Sequence, residues 1–210
     1  MLQISWAEVF GSLTGLVSVW LTVRNNVWCW LWGIVSVAVY TVVFWDARLY
    51  ADMALQLVFV VMNVYGWYEW LHGQRHEQSS GAQASTRRIS PIPQDKLLLS
   101  GTIGVMLAVG IAVYLRRFTN AAVPEFDAAL TALSLVAIWM QARKYRENWL
   151  VWLAADVAYV GLFVNRQLWL TAALYLVFCG MAIVGWREWN AIMNRPIHRQ
   201  TSAGDLASEN

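Results

Sequence analysis

The chain has 210 residues, of which 59% are hydrophobic and 13% charged, with a net charge of +2 and a mean hydropathy of +0.44. Soluble domains carry about 25% charged residues, so a soluble enzyme is a poor match. So small and scattered a positive charge also argues against nucleic acid as a partner. Fourteen tryptophans, side chains that favour the membrane–water interface, complete the picture of a polytopic membrane protein.

Apolar runs fall at about residues 5–23, 27–45, 50–71, 97–115, 127–143, 149–165 and 168–189, each near the roughly 20 residues that cross a hydrocarbon core. They predict an all-α bundle of seven transmembrane helices. The first run holds Glu8 where a cleavable signal would be basic, and no small-residue site closes it, so no signal peptide is expected. Residues 72–96 are polar and read as a loop, and 190–210 as a polar tail.

Leu57 to Trp70, LVFVVMNVYGWYEW, is written again as LVFCGMAIVGWREW from Leu176 to Trp189, 119 positions later. At that offset about 17 of 51 positions agree between Trp20–Trp70 and Trp139–Trp189, including Arg24/Arg143, Trp30/Trp149 and Gly66/Gly185. The chain is a duplication. Residues 1–71 form one three-helix unit and 127–189 the other, with a linker helix and outer loop over 97–126. The unpaired helix turns the second unit parallel to the first, the plan of some small transporters, and predicts a site between the halves near the midplane.

Counting Lys and Arg over alternate loops gives eleven on the side of Arg24, Arg143 and Arg187 and four on the other. The richer side is expected to be cytoplasmic, with the N-terminus outside and the C-terminus inside. Arg116 and Arg117 on the outer side are the awkward pair.

Polar side chains inside a membrane helix are expensive and mark function or helix–helix bonding. Gln56, Asn63, Trp67 and Trp70 step by seven, four and three along the third helix, and Asn148, Trp152, Asp156 and Tyr159 by four, four and three along the sixth. Each set lies on one face. Amides beside flat aromatic surfaces suit a planar ring with polar substituents. Most of these residues also break the duplication: Asn63 stands opposite Ala182, Gln56 opposite Tyr175, Trp152 opposite Gly33 and Asp156 opposite Val37. Residues kept by the repeat are expected to be scaffold, and those that differ to contact an asymmetric ligand.

Trp67 and Trp186 sit one turn deeper than Trp70 and Trp189, the latter two expected in an aromatic belt. Glu69 and Glu188 are expected to form interfacial ion pairs or caps. Cys29 and Cys179 lie in apolar runs as small packing groups. His72, His76 and His198 fall in the loop and tail, so neither a metal nor a cofactor is expected. No phosphate-binding loop, Ser/His/Asp set, HExxH or CxxC occurs. A passive carrier fits these residues better than an enzyme, with a non-transport scaffold or sensor as the other class.

Three segments together resemble the PnuC transporters: the Trp-rich Val27–Gly33, the two Gly-Trp-x-Glu-Trp helix ends, and Asn148-Trp149-x-x-Trp152-x-x-x-Asp156. The resemblance runs from about Trp20 to Trp189. It implies a SWEET-like 3+1+3 arrangement in the bacterial inner membrane and a homotrimer. It also implies facilitated diffusion of nicotinamide riboside, drawn inward by a cytoplasmic riboside kinase. Carried onto this chain, the pocket implied is Gln56, Asn63, Trp67, Asn148, Trp152, Asp156, Trp186 and Asn190. Relatives that carry thiamine or riboflavin share the plan and stand as the alternative substrates.

Overall fold

The computed structural model describes residues 6–46, 50–72, 89–119, 124–165, 167 and 169–194. They form seven helices: α1 (Trp6–Val23), α2 (Cys29–Asp46), α3 (Tyr50–His72), α4 (Gln94–Phe118), α5 (Pro124–Ala142), α6 (Asn148–Asn165) and α7 (Trp169–Met193). Each predicted run became one helix. Loop residues 73–88 and tail residues 195–210, with His76 and His198, lie outside the described residues.

Boundaries moved where polar residues complete a helix end. The fourth helix is longer than its apolar run because Asp95 sits in its first turn and Arg116 and Arg117 in its last, each sign matched to the helix dipole. Arg116 also pairs with Glu125 at the start of α5, which gives a partner to one of the two basic residues expected on the charge-poor side. Pro124 opens α5, where its missing N–H costs nothing.

Contacts run α1–α2–α3–α5–α6–α7 and back to α1, a closed ring of six helices, while α4 packs on α5 from outside. Ser100 is the only buried residue described in α4. Apolar side chains cover the outer surface, with Met106 69% and Val61 66% exposed, as a bundle facing lipid requires.

The duplication is visible in the bonds. α1 ends with Asn25 at φ 51°, Asn25 N–H donating to Thr22 C=O and Asn26 N–H to Leu21 C=O. α5 ends the same way with Lys144 at φ 54°, Lys144 N–H donating to Gln141 C=O and Tyr145 N–H to Met140 C=O. Both are left-handed caps that satisfy the last helical carbonyls. Gly66 lies against the Trp30 ring so closely that an added Cβ would fall 2.3 Å from it, and Gly185 likewise meets Trp149 at 2.4 Å. The repeat-conserved Gly/Trp pairs are scaffold, as expected.

Residues 89–93 do not trail as a free loop. Ser90 forms a parallel bridge with Tyr145, exchanging bonds with Lys144 C=O and Arg146 N–H, and Ile92 N–H donates to Glu147 Oε2 at 2.9 Å. This short strap ties the entry of α4 to the α5–α6 turn.

Candidate functional site

The two polar stripes face inward. On α3, Asn63, Gly66 and Trp70 are buried and Gln56 and Trp67 half-buried; on α6, Asn148 and Asp156 are buried and Trp152 and Tyr159 half-buried. With about 1.5 Å of rise per residue, the eight candidates spread along the ring. Asn63 and Asp156 lie near mid-helix, Gln56 toward the end bearing the α2–α3 turn, and Trp67, Trp152, Trp186, Asn148 and Asn190 toward the end bearing the α1–α2 and α5–α6 turns.

Asn63 donates through Nδ2 to Phe59 C=O at 2.8 Å, and its Oδ1 fills the space left by Gly33, where an added Cβ would fall 2.3 Å from it. Gly33 thus makes room for Asn63. In the second unit the corresponding residues are Ala182, in the buried apolar cluster, and Trp152, packed against it. The asymmetry is a swap of volumes between two facing helices.

Below that level, α1 and α5 meet across the ring. Trp152 Nε1 donates to Gln141 Oε1 at 3.1 Å, and Gln141 Nε2 reaches Thr22 Oγ1 at 3.5 Å. Trp70 Nε1 donates to Gln141 C=O at 3.2 Å, and Trp189 Nε1 to Thr22 C=O at 3.1 Å, so each unit's last helix bonds the other unit's first. The two indoles lie 6.3 Å apart, and their burial (4% and 0% exposed) corrects the expected aromatic belt. A helix-end carbonyl with a lone pair to spare is a better partner for an indole N–H than the interface is. Together these groups fill the ring at its turn-bearing end.

Asn148 is wholly buried and donates through Nδ2 to Tyr145 C=O at 2.6 Å, tying down the start of α6. Asn190 donates to Trp186 C=O and accepts from Arg146 Nη1 at 2.7 Å; the Arg146 guanidinium lies 5.2 Å from the Trp186 ring centroid. The structure therefore groups the eight as a mid-depth set (Asn63, Asp156) and a turn-end set centred on Trp152, Trp186 and Asn190, with Gln56 apart. Sequence reasoning missed Gln141, Thr22 and Arg146. The test of asymmetry under the repeat would have found them: Gln141 stands opposite Thr22, and Arg146 opposite Val27.

Glu69 meets Arg143 at 3.7 Å across the α3–α5 seam, as expected for an interfacial pair. Its counterpart does not: Glu188 and Arg24 form no ion pair among the described residues and instead line a groove of about 530 Å³ between α1 and α7 with Trp20, Val177 and Met181. None of the eight candidates lines that groove.

A family model described as "Nicotinamide mononucleotide transporter" matches residues 5–191. The chain belongs to this transporter family. The nicotinamide riboside transporter PnuC of Escherichia coli (strain K12) is 26% identical over 209 residues, covering 89% of this chain and 86% of the relative. The riboflavin/roseoflavin transporter RibM of Streptomyces davaonensis is 24% identical over 188 residues, covering 89% and 85%. A crystal structure of the vitamin B3 transporter PnuC shares the fold at a TM-score of 0.70 with 20% identity, covering 91% of this chain and 83% of that one. The seven-helix bundle is thus that of a membrane transporter.

Proposed function

We propose that this transporter carries nicotinamide riboside into the cell by facilitated diffusion, with no chemical step of its own. The observation that supports this most is the near full-length match to a nicotinamide riboside transporter, 26% identical over 89% of the chain. The inward stripes agree with it. A pyridinium ring stacks on tryptophan with a cation–π gain, and the amides of Gln56 and Asn63 suit a carboxamide and ribose hydroxyls. All eight candidates, Gln56, Asn63, Trp67, Asn148, Trp152, Asp156, Trp186 and Asn190, belong to this proposal. Asn63 and Trp67 are the ones to test first.

The family model's wording raises the mononucleotide as substrate. The residues at mid-depth disfavour it. Asn63 and Asp156 offer an amide and a carboxyl, whereas Arg143, Lys144 and Arg146 all lie at the turn end. A phosphate would have to leave water without a cation beside it. The match to RibM favours riboflavin as the second reading. In this proposal the turn-bearing end is cytoplasmic, the N-terminus outside, the assembly a homotrimer in the inner membrane, and a cytoplasmic riboside kinase traps the cargo.

Titrating the purified protein while following tryptophan fluorescence tests the substrate. Nicotinamide riboside is expected to give saturable quenching, with thiamine, riboflavin and the mononucleotide giving none. Asn63→Ala and Trp67→Ala are expected to weaken binding about tenfold, a loss of roughly 1.4 kcal/mol. Normal binding by either variant removes that residue from the pocket. A response to riboflavin alone moves the substrate, and silence toward all four returns the scaffold class.

A further inference from the structure

The Arg146 guanidinium rests on Trp186 and donates to Asn190 Oδ1 at 2.7 Å, while its Nε donates to Glu147 Oε1 at 3.0 Å. A flat, delocalised cation on an indole face, with an N–H directed at a side-chain amide oxygen, is also a description of the proposed cargo: a pyridinium ring bearing a carboxamide. We infer that Arg146 is an internal competitor, holding the Trp186 and Asn190 subsite in the empty transporter and giving it up to the cationic substrate. This rests on the function proposed above and adds to it the residue that opposes binding at the cytoplasmic end.

The surroundings permit the exchange. The Arg146 side chain is partly exposed, at 28%, so it has somewhere to go. Glu147 is anchored independently, its other oxygen accepting from Ile92 N–H in the strap before α4. An arginine that leaves Trp186 can therefore keep its Glu147 partner and swing about it. Glu147 is also the carboxylate that faces the guanidinium, so the charge stays compensated in either position. Two cations cannot share one ring face in a low-dielectric site, because their repulsion there is far stronger than in water. Arrival of the pyridinium thus expels the guanidinium, and departure of the cargo toward the cytoplasm is helped by its return.

This arrangement reduces apparent affinity, since the protein must give up its own contact before the ligand gains one. It also sorts ligands. A neutral flavin has no charge with which to displace the guanidinium, whereas a cationic ring has both the charge and the shape.

The experiment compares wild type, Arg146→Gln and Arg146→Lys by the same fluorescence titration with nicotinamide riboside and riboflavin, after thermal unfolding in detergent shows each variant folded. Arg146→Gln removes the charge and the stacked plane and is expected to bind the riboside at least about threefold tighter. Arg146→Lys keeps the charge and the pairing with Glu147, so it is the variant more certain to fold. Without the planar fork it cannot stack on Trp186 while bonding Asn190, and it is expected to bind about twofold tighter. Unchanged or weaker binding in a folded variant overturns the inference while leaving the substrate in place. A wild type that ignores the riboside and binds riboflavin overturns substrate and inference together.

Discussion

In the first unit Gly66 admits the Trp30 ring and Gly33 admits the Asn63 amide; in the second, Gly185 admits Trp149, but Trp152 stands at the position of Gly33 and Ala182 at that of Asn63. The joint nearer the turn-bearing end is common to both units and the mid-depth one is not. The seams between units differ in the same way, one closed by Arg143 and Glu69 and the other leaving Arg24 and Glu188 on an open groove. The close Gly/Trp packing inside each unit tolerates duplication unchanged, whereas the Arg/Glu pair between units keeps its residues but closes on one side only. On the function proposed above, the contacts that diverge are those that meet one asymmetric molecule, because a twofold-symmetric lining cannot match such a ligand on both sides.

The strongest way to break this comparison is at the shared joint. Gly66→Leu and Gly185→Leu each drive a side chain into a buried indole, and overpacking of this kind costs about 1–3 kcal/mol. Both variants are expected to lower the unfolding temperature in detergent by similar amounts, and a difference greater than about 1 kcal/mol between them would show that the two joints are not equivalent. The mid-depth joint is expected to respond in the first unit only. Gly33→Ala pushes on the Asn63 amide and is expected to cost about 1 kcal/mol and to weaken ligand binding. In the Gly33→Ala, Asn63→Ala pair the stability loss should be less than the sum, with a coupling of about 0.5–3 kcal/mol. Strict additivity would deny that Gly33 exists to seat Asn63. The smallest effect concerns the seams. Glu69→Gln breaks a partly exposed ion pair worth at most about 1 kcal/mol, reduced further by salt, whereas Glu188→Gln is expected to leave the unfolding temperature unchanged.

The seven helices were legible because a membrane span needs only length and apolarity, and the repeat because it preserves Gly-Trp-x-Glu-Trp in register. That each of the α3 and α6 stripes shares one face followed from spacing alone; that the face turns inward is seen in the burial of Asn63, Asn148 and Asp156. What a linear pattern could not show was reach. Trp70 and Trp189 look like interfacial anchors from their position near helix ends, and only the fold brings each against a carbonyl 71 or 167 residues away. Gln141 and Arg146 sit beside a turn, where polar residues are ordinary, so nothing local distinguishes an interior hub or a ring-stacked arginine from a solvated one. Asn148 shows the same limit: its spacing puts it on the α6 stripe with Asp156, but does not show that its amide Nδ2 donates to Tyr145 C=O at the start of its own helix.

The crossed indole bonds also bear on how the chain is made. Trp70 emerges from the ribosome long before Gln141, and Thr22 must wait for Trp189, nearly the whole length of the protein. Neither unit therefore completes its hydrogen bonds by itself. The α3–α5 seam can form once α5 is made, but the first unit keeps its α1 edge open until the last helix arrives, and closure of the ring waits on that longest-range contact. A chain interrupted before α7 keeps its helices but lacks the bond that closes the circle.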